Sequence, residues 1–64
     1  MKTIDIWELQ EGDFVVDSDG VEWEAHDVVK RWSGFVRACG FIEKDGKKIW
    51  KYIDGYKGKK ITVK

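Results

Sequence analysis

The sequence has no proline, one cysteine, one histidine and one methionine in 64 residues. Each scarcity excludes something. Cys39 alone cannot close an internal disulfide, and with His26 as the only histidine the usual Cys/His zinc sets cannot be assembled. No cofactor or metal is expected. A lone cysteine suits a reducing compartment, and the expected place for Cys39 is an apolar core. No segment is long and apolar enough to span a membrane. The opening "MKTIDIWELQEGD" lacks the apolar stretch of a signal peptide. A cytoplasmic protein with no membrane association is therefore expected. No linker, low-complexity tract or internal repeat divides the chain, which reads as a single small domain over residues 1–64.

A domain of this size buries only about 60% of the surface its unfolded chain exposes. Without a disulfide or metal, its main resource is aromatic bulk: four tryptophans, three phenylalanines and two tyrosines. Each can bury roughly 150–250 Å², and most are expected in the core.

The net charge is zero, but the two signs are segregated along the chain. Residues 1–29 carry nine acids against Lys2 alone, a net of −8, and residues 30–64 carry eleven bases against Glu43, Asp45 and Asp54, a net of +8. Acidic and basic strands lying side by side would neutralise each other. If the two halves instead formed separate faces, the molecule could self-associate, acidic surface to basic surface.

Seven glycines punctuate the chain. A turn at Glu11-Gly12 leads to a strand over 13–17, and "DSDG" makes the next turn, with Asp19-Gly20 as a type I′ candidate. "VEWEAH" alternates with period two, placing Val21, Trp23 and Ala25 on one face. After Ser33-Gly34 comes "FVRACGFIE", with Gly40 as a bulge or bend point. Asp45-Gly46 between two apolar runs is the clearest hairpin, joining that strand to "KIWKYID". "KITVK" closes the chain with Ile61 and Val63 on one face. A competing pattern is present: Ala25, Val28, Val29, Trp32, Val36 and Cys39 fall at helical spacing, so an α+β alternative has a short helix at about 24–32. The glycine break and the β-branched and aromatic residues favour strands. The expected fold is all-β: a small closed or nearly closed barrel of five to six short antiparallel strands.

"LQEGDFVVDSDGVEWEAHDVV" resembles the opening of SH3-like barrels of the KOW and Tudor sort. In those, a Gly-Asp turn enters a first strand and a further turn enters a long bent second one. Here these correspond to Gly12-Asp13, then 14–16, then 21–29. "DGYKGKKITV" resembles their last turn and strand, and the size and glycine punctuation resemble small phage and prophage proteins. The resemblance implies an SH3-like barrel and, for a phage product, the host cytoplasm. It carries over no peptide-binding or methyl-lysine-binding residues, because the sequence has neither an ALYDY-type motif nor an aromatic cage.

Enzymatic chemistry finds no constellation. His26 has no catalytic partner in the pattern, Cys39 lies in an apolar strand, and "DSDGVEWE" lacks the full ligand spacing of a calcium loop. The informative stretch is "EKDGKKIWKYIDGYKGKK", in which seven lysines interleave with Trp50, Tyr52 and Tyr56. A strand sends alternate residues to opposite faces. If Ile49 and Ile53 point to the core, then Phe35, Arg37, Phe41, Trp50 and Tyr52 form an outer platform edged by Lys48. If the rings are needed inside, the isoleucines lie under lysine stems. The platform would suit a protein partner, with Trp, Tyr and Arg as anchors. Alternatively it would suit single-stranded nucleic acid, with bases stacked on the rings and Lys57, Lys59 and Lys60 among the phosphate contacts. The expected function is a non-enzymatic binding module of phage or prophage type engaging a protein partner. A host-takeover or anti-defence role follows only by analogy. A nucleic-acid-binding accessory protein using the 43–60 hairpin is the alternative, and a structural virion component the third.

Overall fold

In the computed structural model, which describes residues 1–64, seven antiparallel strands form two sheets. The strands are β1 (Lys2–Asp5), β2 (Phe14–Val16), β3 (Glu22–Glu24), β4 (His26–Lys30), β5 (Phe35–Lys44), β6 (Lys47–Tyr56) and β7 (Lys60–Val63). One sheet has the order β1-β7-β2-β3 and the other β4-β5-β6. The protein is the small antiparallel all-β domain that the sequence predicts, with seven strands where five to six are expected, and it is not a closed barrel. β6 has a strand neighbour on one side only, so the sheets do not close around the core. No helix is long and apolar enough to cross a membrane.

Turn chemistry sets the register. Asp45 and Gly46 both have positive φ (54° and 75°), the type I′ geometry that Asp-Gly favours, and β5 and β6 pair without a slip from Lys44↔Lys47 to Phe35↔Tyr56. The turn after β2 differs from expectation. Only Gly20 is left-handed there (φ 80°), and the amides of Gly20 and Asp17 bond the carbonyls of Asp17 and Val21. This is a three-residue loop with a terminal left-handed glycine, not a type I′ turn. The Asp17 carboxylate fixes it by accepting the Asp19 and Val21 amides, both at 3.0 Å.

The segment at 24–32 holds the end of β3 and all of β4, and no helix. The register slips between His26 and Val29, and Asp27 at the slip has φ 53°. One extra residue in the strand lets Ala25 and Val28 both turn inward, three residues apart. A bulge therefore mimics the first step of a helical period. Trp32, which a helix would bury, is fully exposed. Glu11 replaces the ladder bonds that the bulge disrupts. Its carboxylate accepts the amides of Asp27 and Val28, each at 3.1 Å, and lies 3.3 Å from His26 Nδ1. These bonds, that from Val28 first, hold the Glu11 carboxyl below its ordinary value of 4.5. The clamp's stabilisation is thus fully present above that value and is lost as pH falls through the lower folded value. We expect Glu11→Gln to lower the melting temperature at neutral pH, with the gap to wild type shrinking as pH drops below 4.5. Thermal unfolding followed at several pH values checks this.

The chain before β2, for which the sequence pattern predicts no element, holds β1 and a 3₁₀ turn at Ile6–Glu8. Asp5 and Glu8 form a capping box around the turn: the Asp5 carboxylate accepts the Trp7 amide at 2.9 Å, and Glu8 reaches back to the Asp5 amide. This turn presents Ile6 to the core, and Leu9 follows it there.

The core consists of Ile6, Leu9, Val15, Trp23, Ala25, Val36, Ala38, Ile61 and Val63. Most of the aromatic residues lie outside it, contrary to expectation, and Trp23 is the one buried ring. The sheets approach too closely for more. A Cβ on Gly40 would collide with the Glu24 carbonyl oxygen and lie 2.8 Å from the Trp23 ring. Gly40 is therefore a point of contact where β3 crosses β5, not a bulge, and strand phase continues through it.

The charge halves are interleaved. Basic β7 lies between β1 and β2 of the acidic half, and ion pairs join Lys51 to Asp17 (3.1 Å), Lys64 to Glu22 (3.3 Å) and Lys60 to Asp5 (3.9 Å). This strand-level mixing removes the premise for docking an acidic face on a basic one.

Candidate functional site: the outer face of the three-stranded sheet

β5 and β6 are ten residues each, and at about 3.4 Å per residue the hairpin runs nearly the 38 Å length of the molecule. Val36, Ala38 and Gly40 point into the core. The alternate residues must therefore point outward. Cross-strand partners share a face, so the register places Phe35 with Tyr56, Arg37 with Asp54, Cys39 with Tyr52, Phe41 with Trp50 and Glu43 with Lys48 on that outer face. The platform arrangement is the one adopted, with Ile53 packed against the core and Ile49 on its side of the hairpin.

The rings are exposed: Phe41 by 40%, Trp50 by 68%, Tyr52 by 74% and Tyr56 by 62%. They are also ordered in pairs. Phe41 and Trp50 meet edge to face at 5.5 Å between centroids, and Phe35 and Tyr56 at 5.4 Å. The Lys48 ammonium sits 4.6 Å from the centre of the Phe41 ring. Between the aromatic pairs lies an open depression of about 610 Å³, lined by Asp27, Val29, Arg37, Cys39, Tyr52 and Asp54. The bulge in β4 aims Asp27 here, and the Cys39 thiol donates to its carboxylate at 3.8 Å. Cys39 is thus half-buried on the outer face rather than in the core. Asp27 is the site residue that the sequence does not single out, since it follows the alternating stretch 21–26 and only the bulge turns it outward.

Six of the nine residues singled out from sequence come together here: Phe35, Arg37, Phe41, Lys48, Trp50 and Tyr52. Lys57, Lys59 and Lys60 do not. The Lys57 ammonium lies 5.5 Å from the centre of the Trp7 ring, opposite the loop after β4; Lys59 donates to the Asp54 carbonyl at 2.8 Å; Lys60 pairs with Asp5. The outer face is left with Arg37 and Lys48 against Asp27, Glu43 and Asp54, which is close to balanced. His26, paired with Cys39 in the ladder, lies between Glu11 (3.3 Å) and Glu24 (3.5 Å).

No protein-family model, no curated protein and no solved structure matches the chain.

Proposed function

We propose that this protein is a non-enzymatic binding module that engages a protein partner through the outer face of β4, β5 and β6. The observation that carries this reading is the row of exposed, mutually ordered rings around the Arg37–Asp54 pair. Contiguous exposed apolar surface with a polar rim is characteristic of interaction sites. Trp, Tyr and Arg are the side chains that contribute most to protein interfaces. The mixed charge of the face supports a protein ligand over a polyanion, which needs a basic surface to displace counterions. The resemblance to small phage proteins would place such a partner in a host cytoplasm, where host takeover or anti-defence is the matching role.

The test is affinity capture with the wild-type chain and with W50A/Y52A as parallel baits. A protein retained by wild type and lost with the double variant, whose circular dichroism stays native, supports the reading. Equal retention by both baits would remove the outer face as the site.

One observation favours nucleic acid as a second reading, and it lies at the other end of the domain. Trp7 has the ammonium groups of Lys30 and Lys57 at 5.6 and 5.5 Å from its ring centre, and Trp32 beside Arg31 is fully exposed. Tryptophan fluorescence titrated with a mixed-sequence single strand, at about 50 and 200 mM salt, separates the readings. The protein-partner reading expects no saturable change at either salt. Quenching that fades at the higher salt and is lost in W32A would assign nucleic acid to this end.

A further inference from the structure

We propose that two copies of the chain pair antiparallel through their free β6 edges, with the two-fold axis at Lys51. This inference rests on the β6 edge and not on the outer-face reading, although Lys48, Trp50, Tyr52 and Asp54 belong to both surfaces. The two-residue turn makes Lys44 and Lys47 a hydrogen-bonded pair, so the backbone groups of Lys48, Trp50, Tyr52 and Asp54 point away from β5. The Lys59 ammonium on the Asp54 carbonyl, 2.8 Å away, reports the same phase and takes one of that oxygen's two lone pairs, leaving the other for the seam. An exposed edge of this length is a template for another strand.

The sequence of β6 selects the strand. Lys48-Ile49-Trp50-Lys51-Tyr52-Ile53-Asp54 is chemically symmetric about its centre. A two-fold axis at Lys51 sets Trp50 against the second copy's Tyr52, Ile49 against Ile53, and Lys48 against Asp54. Trp50 and Tyr52 then exchange backbone hydrogen bonds across the seam. Moving the axis to Trp50 sets Ile49 against Lys51; moving it to Tyr52 sets Trp50 against Asp54. Only the central register joins ring to ring, aliphatic to aliphatic and base to acid.

The surroundings fit. The like charges at the axis are each compensated, because Lys51 is held by Asp17 of its own chain at 3.1 Å. Ile49, 40% exposed on the core side of the hairpin, meets Ile53 of the other copy. Ile53 borders a recess of about 260 Å³ along the edge, lined also by Val15, Val16, Trp23 and Trp50. Pairing joins the two three-stranded sheets into one of six strands and makes the two outer faces continuous.

Charge reversal tests the register. K48E places like charges at both Lys48–Asp54 contacts of its homodimer, and so does D54K. An equimolar mixture restores opposite charges at both contacts of the heterodimer. By sedimentation equilibrium up to about 1 mM, wild type should dimerise, each variant alone about tenfold more weakly, and the mixture at near wild-type strength. K44E mixed with D19K carries the same net charges away from the seam and should not gain over its separate components. A wild type that stays monomeric throughout overturns the proposal. So do single variants that dimerise like wild type, a mixture that shows no recovery, or a control mixture that gains equally.

Discussion

Gly40→Ala should abolish cooperative folding. The added methyl has nowhere to go: it would meet the Glu24 carbonyl oxygen and the Trp23 ring carbon, where β3 crosses β5. The obstacle is backbone on one side and the single buried aromatic ring on the other, and neither can yield as a flexible side chain would. Overpacking of a well-filled core costs about 1–3 kcal/mol and more where backbone must move. A core of this size supplies only about 3–5 kcal/mol of net stability. We therefore expect the substitution to lose at least about 3 kcal/mol, leaving the chain largely unfolded in water. Urea unfolding followed by far-ultraviolet circular dichroism gives the answer. Gly46, whose left-handed φ is set by the turn and whose missing Cβ would meet nothing within 4 Å, provides the contrast. Its replacement strains only the turn and should leave a folded domain.

Trp23→Ala is expected to be comparably damaging for the opposite reason. Trp23 is 3% exposed and packs within the nine-residue core that joins both sheets. Its removal leaves a cavity that the neighbouring strands cannot close, because Val15 is held opposite Trp23 by the β2–β3 ladder and β5 already touches β3 at Gly40. Aromatic-to-alanine changes in cores cost about 3–5 kcal/mol, near the whole stability expected here. Trp23→Phe keeps most of the volume and should remain folded with a lowered urea midpoint.

Strand positions were legible in the sequence because turn residues and period two announce themselves. "KDGK" gave the hairpin, the alternation around Trp23 gave β3, and Ile61 with Val63 gave the inner face of β7. The platform was legible as one of two choices, since both faces of β6 are apolar and only the depth of sheet packing decides between them. Gly40 decides it. A crossing this close admits small and aliphatic side chains on the inner face and sends Phe41, Trp50 and Tyr52 out. That crossing depends on a contact between strands distant in sequence, so no local pattern reveals it. The bulge was hidden for a related reason: its amides are satisfied by Glu11, 16 and 17 residues upstream. The N-terminal strand could have been found from the Asp5-x-x-Glu8 capping box and the apolar Ile4 and Ile6 around it.

The central claim is that the aromatic outer face serves recognition rather than folding. The measurement that tests it most directly is the urea unfolding of W50A/Y52A beside wild type. Exposed cross-strand pairs contribute about 0.2–1 kcal/mol each, so the double variant should lose less than about 2 kcal/mol and unfold cooperatively. A loss on the scale of Trp23→Ala, with no folded baseline in water, would make Trp50 and Tyr52 structural residues and contradict the account.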